Sequence, residues 1–255
     1  FSQCLNGEYK KKNIGTFAKV GVYSASSIKP LDTYGGGFLV CKNKEIYKKI
    51  NLEKEKLLSC SRLVLFNKIL INITRSVFTN RFIFSFFTFY LIRCSQIFLN
   101  KKNTKMLGDR SKKPLKKLPK DWFVKYSSFQ ANIGFRKIDQ IKKEDEKRIR
   151  VAKKIKQNNK LIKFPSGVKA SKNVYWQLLG FCNSPLLTKL KLMRYGVDSS
   201  SSSLEYLPSL KNYGFKSKLK NAEFIYKKSL LIPCFSILND REVNIINSSL
   251  KKINF

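Results

Sequence analysis

The sequence predicts an α/β chain, and three observations carry that expectation. Two short apolar runs, Val20–Tyr23 and Phe38–Cys41, flank a small polar loop that closes on Gly35, Gly36 and Gly37, which reads as strand, turn, strand. From Tyr126 to Gln157, Phe129, Ile133, Ile138, Ile141, Ile149, Ala152 and Ile155 hold one face of a long amphipathic helix. Beyond Pro165–Gly167, short apolar runs alternate with helical ones, the pattern of a small α/β domain.

Taken in order, Glu8 to Asn13 reads as a lysine-rich hairpin, and Lys42–Leu57 has helical spacing through Ile46, Ile50 and Leu57, with Asn43 placed as N-cap. Leu58–Leu99 is dominated by Phe, Ile and Leu. Its most apolar run, Phe82–Ile92, holds eleven residues between Arg81 and Arg93, short of the roughly 20 a spanning helix requires. Two readings fit it equally: interfacial helices with Lys68, Arg75, Arg81 and Arg93 at the headgroups, or an ordinary buried helical hairpin. Lys101–Lys120 is a basic linker broken by Pro and Gly. The last third reads as a strand at Val174–Phe181, a helix at Ser184–Tyr195, a short strand at Val197–Ser199 and a flexible serine loop at Ser199–Ser203. A helix at Leu219–Lys228 and a strand at Leu230–Phe235 follow. Asn239 and Glu242 form a capping box that opens a final amphipathic helix through Val243, Ile246 and Leu250.

Composition narrows the chemistry. With 52 Lys and Arg against 16 Asp and Glu, the 255 residues carry a formal net charge of +36. Such charge favours association with polyanions of any sequence. The cations are spread along the chain, and Lys, Asn, Ile and Phe are abundant together, as an AT-rich genome produces, so no specific nucleic acid is expected. There is no histidine, which removes Ser–His and Cys–His catalysis and imidazole zinc sites. The six cysteines include no C-x-x-C pair, so free thiols in a reducing cytosol and no metal site are expected. FSQCLNGEYKKK at the front has no apolar signal-peptide core. A cytoplasmic location is expected, with peripheral contact to the inner face of the membrane through Phe82–Ile92. Opening at Phe1, the chain reads as processed or as part of a longer one.

Lys29 lies in the loop between the first two apolar runs. Desolvation would lower its pKa and give a neutral amine able to attack a carbonyl. On spacing alone, a solvated lysine in a β-turn-β unit is the plainer reading.

A resemblance bears on that choice. Gly15–Phe17 (GTF) and VYSASSIKPLDTYGGGFLVCKN come first, then FQANIGFRKID (Phe129–Asp139) and YGVDSS (Tyr195–Ser200). SLLIPCFSILNDREVNIINSSLKKI (Ser229–Ile253) closes the series. In that order and spacing these segments resemble the DegT/DnrJ/StrS family of sugar aminotransferases over about residues 1–50 and 122–255. The resemblance implies a portion of a fold-type I transferase dependent on pyridoxal 5'-phosphate. Residues 1–57 would be the end of the large cofactor-binding domain, 58–121 a helical insertion, and 122–255 the connecting helix and small C-terminal α/β domain. It also implies that Lys29 binds the cofactor as a reversible imine and shuttles a proton, that Ser24 hydrogen-bonds the phosphate, and that Gln3 lies near the ring hydroxyl. The family's Asp three residues before that Gln would fall before Phe1, and the upstream half of the large domain has no counterpart here. Phe123 and Lys125 stand where the family has Asn and Arg, and its substrate-loop His near Tyr206–Pro208 is missing.

The implied function is amination of a nucleotide-linked keto sugar for surface polysaccharide, from an amino-acid donor, by a homodimer when full length. The chain alone is expected to be inactive. The alternatives are a catalytically degenerate relative and a basic RNA- or ribosome-associated protein.

Overall fold

The chain begins with two hairpins, as its sequence predicts. β1 (Glu8–Tyr9) and β2 (Lys12–Asn13) pair antiparallel around Lys10 and Lys11, both at positive φ (47° and 61°), the geometry of a tight two-residue turn. β3 (Val20–Ser24) and β4 (Gly37–Cys41) pair antiparallel with Tyr23 opposite Phe38, their rings stacked at 4.9 Å. These features come from a computed structural model, which describes residues 4–98, 117–159, 162–201, 206–209 and 219–253.

Two compact units divide the chain. The first takes in Phe1–Lys143 and Ala170–Lys172, the second Glu144–Lys169 and Asn173–Phe255.

In the first unit, α1 (Lys44–Glu55) starts where Asn43 Oδ1 accepts the Ile46 N–H at 2.9 Å. α2 (Arg62–Phe78) and α3 (Arg81–Ile83) follow, then a π-helical turn at Phe84–Thr88 that runs into α4 (Phe89–Phe98). Of the two readings of this segment, the buried hairpin does not form. Among the described residues from 58 to 95, only Asn72 and Phe89 are buried. α5 (Ser128–Asn158) is the long helix; its first half belongs to the first unit, where Ile141 is buried, and the rest to the second. β5 (Ser171–Lys172) adds to the first hairpin in the order β2-β1-β5.

The second unit is built on an antiparallel sheet of order β6-β8-β7: β6 (Leu178–Phe181), β8 (Ser229–Ile232) and β7 (Ser200–Ser201). α6 (Pro185–Arg194), α7 (Lys220–Lys228) and α8 (Asp240–Lys252) complete it. Val151, Ala152 and Ile155 of α5 pack into one core with Leu178, Leu230, Val243 and Leu250. The capping box closes as expected, Asn239 Oδ1 accepting the Glu242 N–H and Glu242 Oε2 the Asn239 N–H, each at 2.9 Å.

Three strands differ from expectation. The run from Val174 forms strand only at Leu178–Phe181, because Tyr175 takes positive φ (49°) and its N–H turns to Asn173 Oδ1. The partner sets the same limit: Leu178 pairs with Ile232, and β8, expected to run from Leu230 to Phe235, spans Ser229–Ile232 and stops before Pro233, which has no N–H to give a ladder. The short strand expected at Val197–Ser199 lies instead at Ser200–Ser201, while Val197 is buried in the core after Gly196 (φ 82°).

Candidate functional site

β3 delivers the chain at Ser24 and β4 takes it back at Gly37, directly opposite. The loop between them carries Lys29. Backbone bonds frame it: the Ala25 N–H reaches Gly36 O at 3.0 Å, and the Thr33 and Gly35 N–H groups share Ala25 O at 2.9 and 3.3 Å. Ala25, Leu31 and Thr33 turn inward and are buried. The glycine run serves this frame. Gly36 has φ +76°, and a Cβ on it would meet the Tyr126 ring at 2.6 Å.

Three elements grip the loop. From the start of α5, Gln130 Nε2 donates to Thr33 O at 3.0 Å and Gly35 O at 3.3 Å, while its Oε1 accepts from Ser127 N–H and Oγ. The Tyr126 hydroxyl makes a short hydrogen bond with the Thr33 hydroxyl, and burial pushes the Tyr126 phenol above its usual pKa. From α2, the buried Asn72 donates through Nδ2 to Ser27 Oγ at 2.9 Å and to the Asp32 carboxylate at 3.2 Å. Asp32 Oδ1 also accepts the Tyr34 N–H at 2.8 Å, and Lys137 Nζ donates to Asp32 O at 3.1 Å.

Of the predicted residues, Ser24 ends β3 and Lys29 lies in the loop that follows, and Gln3 lies outside the described residues. Ser24 Oγ is 3.0 Å from Ser26 Oγ and accepts the Ser26 N–H at 3.3 Å; the Lys29 N–H in turn donates to Ser26 O at 3.1 Å. The Lys29 side chain is half-buried. Before it stands Ile28 at φ 68°, a left-handed conformation that a β-branched residue holds only under constraint. Beside the loop opens a cleft of about 1080 Å³, lined by Ser26, Ser27, Gly35–Gly37, Trp122, Lys125 and Tyr126 among others, though not by Ser24 or Lys29. Lys125 reaches across to Glu55 at 2.8 Å and holds that carboxylate below its usual pKa. Phe123 is exposed.

Sequence reading missed Asn72, Thr33, Tyr126 and Gln130 as site-forming residues. Asn72 carried a signal, a lone amide in the apolar run ILINI. Gln130 sits inside a motif already quoted, and Thr33 and Tyr126 gave none.

No family model matches the chain. Among curated proteins, 51 residues are 41% identical to a UDP-4-amino-4,6-dideoxy-N-acetyl-beta-L-altrosamine transaminase of Campylobacter jejuni, which is 20% of this chain and 14% of that protein. The Helicobacter pylori protein of the same name is 39% identical over 51 residues, again 14% of its length. Solved structures match over nearly the whole chain. Helicobacter pylori PseC, an aminotransferase involved in the biosynthesis of pseudoaminic acid, gives a TM-score of 0.66 at 18% identity, covering 99% of this chain and 57% of its own. A DegT DnrJ EryC1 StrS aminotransferase from Brucella abortus gives 0.63 at 16% identity, covering 98% and 55%. A Streptococcus pneumoniae protein solved in a PLP form gives 0.65 at 15% identity, also covering 98% and 55%. The chain thus spans a little more than half the length of these solved chains, and over that span it has the fold-type I architecture of the DegT/DnrJ/EryC1/StrS sugar aminotransferases, as its motifs imply.

Proposed function

We propose that this chain supplies the lysine-bearing portion of the active site of a pyridoxal-phosphate-dependent aminotransferase acting on a nucleotide-linked keto sugar. The observation that carries the reading is Lys29, in this fold, on a braced loop, its N–H bonded to the carbonyl of Ser26, whose hydroxyl pairs with that of Ser24. An amine and hydroxyl donors on one loop are the chemistry that an aldehyde-bearing phosphate ester requires, so the residues present fit that part of the cofactor. When bound, the cofactor supplies the aldehyde and a ring that withdraws electrons.

The chain's own residues do the rest. Lys29 Nζ would hold the cofactor through its aldehyde and act as acid and base when a proton moves. Ser24 Oγ, now turned to Ser26, would donate to the phosphate, with Gln3 as a further contact. The Thr33–Tyr126–Gln130 network fixes the loop so that the amine is presented in one place. The sugar substrate is supported by the names of the curated relatives, which are UDP-sugar transaminases. An amino-acid donor, a homodimer and a role in surface polysaccharide extend that reading.

The test is reductive trapping. The full-length protein carrying this chain is mixed with pyridoxal phosphate, reduced with borohydride and mapped by peptide mass spectrometry. The expected result is a phosphopyridoxyl group on the Lys29 peptide and an imine absorbance band that Lys29→Ala abolishes. Label scattered evenly over surface lysines and unchanged by Lys29→Ala would overturn the proposal.

A further inference from the structure

α2 and the α3–α4 segment present an apolar surface to water. On α2, Leu63, Phe66, Leu70, Ile73 and Val77 recur at helical spacing and are 46–75% exposed. After the turn, Phe82 and Phe86 are 72% and 79% exposed, and Phe87, Tyr90 and Leu91 are each more than half exposed. Soluble domains rarely leave helix faces of so many large apolar side chains without an occupant. The orientation is fixed from the other side. Asn72 lies roughly 140° around the helix from the centre of the α2 stripe, and it is Asn72 that bonds Ser27 and Asp32. The stripe therefore faces away from the Lys29 loop.

Charge selects the occupant. Residues 58–98 contain no Asp or Glu; of their cations, Arg62 lies about 60° from the centre of the α2 stripe and Arg81 adjoins Phe82, while Lys68 and Arg75 lie on the side of Asn72. A second copy of the chain would set like charge against like. A lipid surface with anionic headgroups satisfies both the apolar side chains and the cations. Length selects the mode. α2 has 17 residues, about 25 Å at 1.5 Å per residue, and among the described residues no helix is long and apolar enough to cross a membrane.

We propose that α2 and α3–α4 form an in-plane docking surface for an anionic lipid bilayer, with Phe82, Phe86 and the Leu63–Val77 stripe inserted and Arg62 and Arg81 at the phosphates. This inference rests on α2–α4 alone and stands independently of the cofactor reading.

The test is flotation of the full chain with vesicles of phosphatidylcholine alone and with mixed phosphatidylcholine–phosphatidylglycerol vesicles, at low salt. Wild type is expected to float with the mixed vesicles and far less with phosphatidylcholine. The double change Phe82→Asp and Phe86→Asp, at exposed positions, should lower the bound fraction by at least about tenfold with an unchanged circular dichroism spectrum. Arg62→Glu with Arg81→Glu should remove the preference for the anionic vesicles. Failure of wild type to float, or flotation unaffected by the phenylalanine changes, overturns the proposal. So does sedimentation showing that Phe86→Asp dissolves a dimer while leaving lipid binding intact, because the face then belongs to a second copy.

Discussion

Cys234 shows how burial disposes of a reactive group. It is 4% exposed, its Sγ–H points to Arg148 O at 3.5 Å, and burial pushes the thiol up to about 12. A thiolate is the nucleophilic form, so at neutral pH this cysteine is packing and not chemistry. The shift is also a statement about stability. Below about pH 9 the thiol is protonated in the folded and unfolded chain alike, and its contribution is constant. As pH rises from there towards 12, the unfolded chain sheds the proton while the folded one retains it, and stability falls. Cys234→Ala removes the group that titrates. The expected outcome, read from urea-unfolding midpoints at neutral pH and at about pH 10.5, is a smaller alkaline loss in the variant than in wild type, even though its neutral-pH midpoint is lower. Equal losses would show that other groups govern the alkaline limb.

At the scale of elements, the bond from α2 to the Lys29 loop is the least expected feature. Asn72 is buried, and its amide links Ser27 and Asp32 across a sequence separation of 40 to 45 residues. Asn72→Ala would strip a partner from a hydroxyl and a carboxylate, at a cost of about 1–3 kcal/mol. That loss should appear locally: faster hydrogen exchange in α2 and in residues 26–34, with α8 in the second unit unchanged. Uniform acceleration, or none, would mean that Asn72 does not hold the two together. The contrast with α8 marks what sequence could reveal. Asn239 and Glu242 announce their cap because it is local, and Gly35–Gly37 announce a tight return because only glycine fits there. The Lys29 loop was placed for the same reason. Asn72, Thr33, Tyr126 and Gln130 act across 40 to 97 positions, and no spacing rule encodes such pairing. The strand limits failed likewise, since β6 takes its length from β8 and Pro233, and β7 pairs serines through backbone groups that carry no side-chain signature.

For the molecule as a whole, the governing quantity is charge. Sixteen acidic groups cannot neutralise 52 basic ones, whatever the pairing. The ion pairs on exposed side chains, such as Lys154–Asp240 and Lys56–Glu53, are of the kind worth about 0–1 kcal/mol each. Repulsion among the remaining lysines and arginines opposes the folded state. Salt therefore has two opposing effects. It weakens the few favourable pairs slightly and screens the many unfavourable ones, the screening length falling from about 30 Å at 0.01 M to about 8 Å at 0.15 M. With +36 uncompensated, relief of repulsion should win. The urea midpoint is expected to rise between about 0.01 and 0.15 M sodium chloride and to rise further with a polyanion such as polyphosphate, which binds the folded surface. Association with RNA should follow the same law, weakening steeply with salt and showing no preference among homopolymers, because phosphate contacts carry affinity but no sequence information. A midpoint that fell with salt would show that specific ion pairs, and not net charge, control stability. A selective RNA would restore the nucleic-acid reading that the scattered cations argue against.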